Sequence, residues 1–280
     1  MVTPSNYLDD AALAMVAAAE RGRSIAAVLK KKCPEIDRQI RLDERYPEML
    51  AAWGRSSNVD ENAGLEIVRP PILQLIGDLA NVPMRGRFVH AGLAHTYGYL
   101  FSLIDTPYGP KRTRWVTTAL EDGFGLEPTL LGDRPTEGTL LGNLTRFLVG
   151  IAFRGEEWER GEWSEAKEIA RFEYERLQVM RIVERASTPQ GELQLFTDLV
   201  PFPNPPSDPR ADNTLLIYTA QLAHQKWKRL ITAFPMKPVA VEELKATVSK
   251  REVPIRLRYN AYVRGLYGKT FAGSRQFLSE

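Results

Sequence analysis

Imidazole chemistry near neutral pH has to pass through His90, His95 or His224, the three histidines of the chain. His90 and His95 stand five residues apart, so a strand would point them to opposite faces and a helix would separate them by a turn of about 500°. One element therefore cannot present both to a metal ion. They read either as hydrogen-bonded structural histidines or as part of a small-molecule pocket. In the second case one of them is a general base beside Tyr97 or Asp105, in a pocket lined by His90, His95, Tyr97, Tyr99 and Trp115. Cys33 is the single cysteine, which excludes an internal disulfide and a cysteine-based zinc site. Glu165 and Lys167 have the spacing of the Glu-x-Lys element of metal-dependent nucleases, but they fall in a helical period where that chemistry needs a strand. No P-loop, Gly-x-Gly-x-x-Gly or Gly-x-Ser-x-Gly pattern is present. No metal and no cofactor are expected.

The C-terminal region offers different chemistry. From Gln221 to Glu280 there are twelve Lys or Arg residues against four Asp or Glu, whereas Glu121 to Val200 holds nine against sixteen. A basic stretch interleaved with Trp227, Phe234, Tyr259, Tyr262 and Tyr267 suits a surface that meets phosphate and stacks on bases. Alternatively, this basic face docks on the acidic middle of the chain. Metal-free RNA cleavage needs a base, an acid and cations for the developing phosphorane charge. His224, Lys228, Thr232, Arg258 and Tyr262 supply candidate catalytic groups, and Lys226, Trp227, Arg229, Arg256 and Arg264 candidate nucleic-acid contacts. The segment Arg229–Pro235, preceded by the apolar Leu215–Thr219, resembles the strand pair near the end of bacterial RNase toxins of the barnase, EndoU, colicin and RelE group. That resemblance implies a small twisted sheet packed on helices, with Thr232 and its basic neighbours near a bound RNA phosphate. The leading expectation is thus a nucleic-acid-binding protein, RNA favoured, acting as a metal-independent ribonuclease. The rivals are a small-molecule enzyme built around His90 and His95, and a helical interaction protein.

These residues need elements to position them. The first 55 residues read as helices: an alanine-rich segment capped by Asp9 or Asp10 and stopped at Gly22, a second capped by Ser24, and a third from Pro34 to Trp53. The stretches Ser24–Leu29 and Arg41–Leu50 resemble the helix-turn-helix of phage terminase small subunits. Gly54–Gly64 reads as a linker or an ordered loop, and Ile72–Ile76 as a short apolar element. Aromatic and β-branched content predicts a hairpin of Tyr97–Ile104 with Lys111–Thr118 around the turn Asp105–Pro110. A charged helix follows from Trp158 to Val183, then strands at Gly191–Val200, Thr214–Leu222 and Lys228–Phe234, and a helix at Val241–Val248. The Pro-rich Pro201–Pro209 is a boundary or a long rigid loop. Val253–Arg264 alternates an apolar face with one carrying Arg256, Arg258, Tyr262 and Arg264.

The expected fold is α+β: an N-terminal helical segment (1–55), a mainly antiparallel β-rich centre with flanking helices (65–200), and a basic α+β region (210–280) that can be continuous with the centre. With 44% hydrophobic and 26% charged residues, the chain has the composition of a self-sufficient globular protein and not of a disordered one. No apolar run reaches the roughly 18 residues of a membrane helix, and acidic Asp9 and Asp10 precede the apolar N-terminal run where a signal peptide carries lysine or arginine. A cytoplasmic location is expected, with no membrane partner. Oligomeric state is not encoded in any motif.

Overall fold

The computed structural model describes residues 4–60, 63–86, 88–106, 109–115, 117–153, 174–188, 191–222, 228–249, 261–263 and 271–272. The fold is α+β, opening with helices α1 (Pro4–Glu20), α2 (Ile25–Lys32), α3 (Pro34–Asp43) and α4 (Pro47–Ala51). Local chemistry accounts for their ends. Gly22 takes a left-handed φ of +62° after α1, and the Ser24 hydroxyl accepts the Ala27 N–H to start α2. Pro34 and Pro47 sit in the first turns of α3 and α4, where a missing N–H costs nothing. Asp9 and Asp10 lie inside α1 and cap nothing at its start, because the helix already runs from Pro4. The stretch predicted as one helix to Trp53 breaks at Glu44–Tyr46 and restarts at Pro47.

Strand β1 (Arg55–Ser57) is flanked on both sides in an antiparallel sheet, by β2 (Phe88–His90) and by β9 (Ala261–Val263), with β10 (Phe271–Ala272) beyond β9. Helix α5 (Pro70–Leu79) lies between β1 and β2 in sequence. Asn58 bridges to Val68 with both ends of its carboxamide, and Ser56, Ser57, Asn58 and Asp60 are buried, so the described part of the polar segment after Gly54 is not an exposed linker. After β2 the chain turns into α6 (Ala91–Leu93), which continues as a π-helical segment Ala94–Gly98. Tyr97–Ile104 is therefore not a strand. Every residue from Ala91 to Ser102 is buried, and an element enclosed on all sides shows no polar stripe by which periodicity could tell helix from strand. Only β3 (Asp105–Thr106) and β4 (Gly109–Pro110) pair across the predicted turn. Lys111–Thr113 forms a 3₁₀ turn in place of the second predicted strand.

Helices α7 (Ala119–Phe124) and α8 (Leu140–Ala152) lead to a four-stranded antiparallel meander of β5 (Met180–Thr188), β6 (Gly191–Pro201), β7 (Thr214–Leu222) and β8 (Arg229–Met236), followed by α9 (Pro238–Ser249). Of the predicted charged helix, 154–173 lies outside the described residues, and Met180–Val183 is strand paired with β6, not helix. Met180 is exposed there. The Pro-rich segment links β6 to β7, which pair from Leu193↔Leu222 to Pro201↔Thr214. It is anchored by the Phe202 N–H on the Asn213 carbonyl and by the Phe202 ring 5.2 Å from that of Phe124.

One core runs from Leu8 of α1 through α5, α8 and the segment 89–101 to Leu215, Ile217, Leu230 and Ala233 on one face of the meander. On the opposite face Leu195, Leu216, Tyr218 and Ile231 cluster with Val241 of α9. The two sheets meet where Leu230 donates to the Ala52 carbonyl and accepts from Gly54, whose own carbonyl accepts the Ala91 N–H. At this seam β8 carries an extra residue: Tyr218 pairs with Thr232 and Thr219 with Leu230, leaving Ile231 without a partner in β7. Among the described residues, no helix is long and apolar enough to cross a membrane.

Candidate functional site

His95 sits in the π-helical segment, fully buried at the seam. A π turn inserts one residue into a helix and re-aims its side chains, which is why such turns recur at working sites. The His95 Nε2 lies 3.3 Å from the Ser56 hydroxyl of β1. Nδ1 is buried and meets no hydrogen-bond partner among the described residues. Burial pushes this imidazole well below the ordinary histidine range, and Arg114, Lys111 and His90 push the same way, while the Ile231 carbonyl at the bulge favours the charged ring. The ring is neutral at physiological pH and can accept a proton. Tyr99, one helical turn on, packs its ring 4.7 Å from that of His95, and the Trp115 indole donates to the His95 carbonyl at 2.5 Å.

The 3₁₀ turn after β4 brings the cations. It fans successive side chains in different directions: Lys111 pairs with buried Asp60 at 2.8 Å, and Arg112 with Asp9 at 2.7 Å. Asp60 is held by the Ala63 N–H at 2.9 Å. The Arg114 guanidinium enters a nest of rings, 5.0 Å from Tyr99, 5.2 Å from Phe234 and 6.0 Å from Trp115. Its one hydrogen bond is to the Thr232 hydroxyl, at 3.4 Å. Burial lowers its pKa, with Tyr99 and Asp60 opposing, but a guanidinium stays charged at any working pH. Lys111 and Arg114 are only partly buried, whereas Ser56, His95, Trp115 and Thr232 are enclosed. The site thus opens on its cationic side and ends on a neutral imidazole.

Comparison with known protein families, curated proteins and solved structures finds no match to this chain.

Of the predicted pocket, the fold assembles His95, Tyr99 and Trp115 and sends the other two elsewhere. His90 uses both ring nitrogens in structure: Nε2 donates to the Leu50 carbonyl at 2.9 Å and Nδ1 accepts the Leu93 N–H at 3.1 Å, capping α6. Burial holds its pKa down at about 4. Tyr97 points away from His95 and donates to buried Asp43 at 2.5 Å, whose other oxygen accepts from Thr139. Asp105 lies at the edge of the β3–β4 turn, near Arg112.

The predicted RNA site divides differently. Thr232 joins the seam site beneath Arg114. Lys228 is not on a basic surface: it is buried, donates to the Ala152 carbonyl at 3.2 Å and lies 4.4 Å from the Phe196 ring centre. A lysine with a long apolar stem and a helix-end carbonyl within reach gains by turning inward. Arg229 donates to the Ala51 carbonyl at 2.5 Å. Tyr262 lies on β9, its backbone paired with Arg55. His224, Lys226, Trp227, Arg256, Arg258 and Arg264 lie outside the described residues, as does the Glu165–Lys167 pair. Among the described residues no three His, Cys, Asp or Glu side chains come together as metal ligands.

Sequence reasoning missed Ser56, Asp60, Lys111 and Arg114. The available signal was the run Lys111–Trp115, three cations and an indole directly after a tight turn. Read as a strand, it put Lys111 and Arg114 on opposite faces. Ser56 and Asp60 belonged to a stretch read as linker or loop, and nothing local distinguishes a buried polar loop from an exposed one.

Proposed function

We propose that the chain is an enzyme acting on a small molecule held at the seam, with His95 as proton acceptor and Ser56 as the residue that orients its ring. The observation that carries this reading is a buried, neutral imidazole whose Nδ1 meets no hydrogen-bond partner among the described residues, placed beside a partly accessible cationic wall. A base shielded from water and set next to a guanidinium suits proton abstraction from a substrate whose developing negative charge the cation stabilises. Aromatic rings of Tyr99, Trp115 and Phe234 supply the apolar walls typical of small-molecule sites.

The test compares the wild-type protein with His95→Gln in a mixture of small cellular metabolites followed by mass spectrometry. Glutamine keeps a donor for Ser56 but cannot act as a base. The expected outcome is a metabolite consumed by the wild type and turned over about 10²- to 10⁴-fold more slowly by the variant, with thermal unfolding unchanged. Equal consumption by both proteins, or none by either, overturns the reading.

A second reading, RNA binding with metal-free cleavage by the C-terminal region, is favoured by the excess of twelve basic over four acidic residues between Gln221 and Glu280. Its test is a titration with single-stranded RNA at two salt concentrations. Binding that weakens steeply with salt and is lost in the double variant Arg256→Ala, Arg258→Ala supports it; no binding at low salt removes it.

A further inference from the structure

We propose that Arg114 is the anchor of an oxyanion subsite, which takes the carboxylate or phosphoryl group of a small molecule between Lys111 and Thr232. The inference deepens the reading of the seam as a small-molecule site by naming the substrate class, but anion binding itself does not depend on His95 acting as a base.

Charge accounting is the first argument. Lys111 has its counter-ion in Asp60, at 2.8 Å. Arg114 has no carboxylate within ion-pair distance among the described residues; its contacts are three ring faces and one long hydrogen bond to Thr232. A charge drawn out of water is costly unless paired and hydrogen-bonded. Elsewhere the same fold meets that requirement, as at fully buried Asp198, onto which Arg181 forks at 2.7 and 2.9 Å.

Geometry is the second. Aromatic contacts engage a guanidinium through its flat face, while its N–H donors lie in the plane and point past the rings. Among the described residues only one of those donors finds an acceptor, Thr232 Oγ1 at 3.4 Å, so the fork that matches a carboxylate or phosphate is left for a ligand. The hydroxyl of Thr232 lies beside it, and the Lys111 ammonium shares the Tyr99 ring with Arg114, 6.0 Å from its centre. Because the walls beyond are Tyr99, Phe234 and Trp115, the group attached to the anion is apolar or planar.

The experiment follows thermal unfolding and calorimetric binding of the full chain in sodium phosphate, sodium benzoate and sodium chloride at matched ionic strength. A saturable rise in the unfolding midpoint with phosphate or benzoate, absent with chloride, is the expected result, and which of the two binds identifies a phosphoryl or a carboxylate ligand. Arg114→Met should abolish that response while unfolding at or above the wild-type midpoint without ligand, since it removes an unpaired charge and keeps the volume. Arg114→Lys should fold and bind about tenfold more weakly, having the charge without the fork. An equal effect of chloride, no response from the wild type, a response kept by Arg114→Met, or unchanged affinity in Arg114→Lys overturns the proposal. His95→Gln separates the two readings: it should keep the anion response and lose turnover. An anion response in a protein that consumes no metabolite would remove the enzymatic reading and leave the subsite standing.

Discussion

Arg181 and Arg114 both lie beside aromatic rings, and they are treated in opposite ways. Arg181 on β5 forks onto fully buried Asp198 and donates to the Ala152 carbonyl at the end of α8, where Lys228 donates too. Two cations, one carboxylate and the negative end of a helix make a closed set. Among the described residues Arg114 meets only rings and Thr232. The first cluster reads as structure because each of these charges has an answer within the protein. The second leaves a charge for something else to answer. The lesson is that buried charge alone does not mark a site; incomplete pairing does.

Breaking the closed set should have the largest effect on stability. Asp198→Ala removes the carboxylate onto which Arg181 forks while Arg181 and Lys228 still converge on the Ala152 carbonyl, and should cost about 1.5–3 kcal/mol in urea unfolding. A cost below about 1 kcal/mol would mean that the two clusters differ less than their geometry implies.

Titration adds a third kind of group to the contrast, one drawn inward with its hydrogen bonds complete but with no counter-charge bonded to it. His90 is held at about 4 against an ordinary 6.5, so the native state binds fewer protons than the unfolded chain between those values. Its contribution is present above pH 6.5 and lost as pH falls through about 4, roughly 3 kcal/mol in all. His95 acts in the same direction. Asp43 opposes them. Burial raises its carboxyl to about 6 despite the Thr139 and Tyr97 hydroxyls and nearby Arg146, so its contribution is present below about pH 4 and lost as pH rises through 6. The wild type should therefore lose stability between pH 7 and pH 4, and Asp43→Asn should lose it more steeply. Unfolding midpoints across that range measure both; identical profiles would remove Asp43 as a titrating group.

Thr232→Val is the smallest change. The bond it deletes is 3.4 Å long, so stability should fall by about 1 kcal/mol or less, while affinity for phosphate or benzoate should weaken severalfold. An unaltered affinity would place the anion away from β8.

Much of the scaffold was legible residue by residue. Ser24, Gly22 and Pro34 announce helix ends through local hydrogen bonding and fixed φ, and the strands of Gly191–Pro201, Thr214–Leu222 and Arg229–Met236 show their strand content openly. The segment 91–115 was misread because its signal is degenerate. A helix buried on all sides looks like a buried strand, and an indole and three cations after a turn fit either a strand or a 3₁₀ turn. Three of the five residues of the predicted pocket, His95, Tyr99 and Trp115, come together, because nearness in sequence within a helix and its following turn happened to become nearness in space.

By itself the sequence determined the α+β class, the N-terminal helices, most strands of the meander and the scarcity of titratable imidazoles, since each depends on composition or on neighbours a few residues apart. Tertiary structure alone decided which polar groups meet. Ser56 reaches His95 across 39 positions, Asp60 reaches Lys111, and Arg114 reaches Thr232 across 118. Those meetings depend on where the two sheets join and on the single extra residue at Ile231 that shifts the register of β8. No local propensity encodes a long-range register, because it is set by the packing of the whole core.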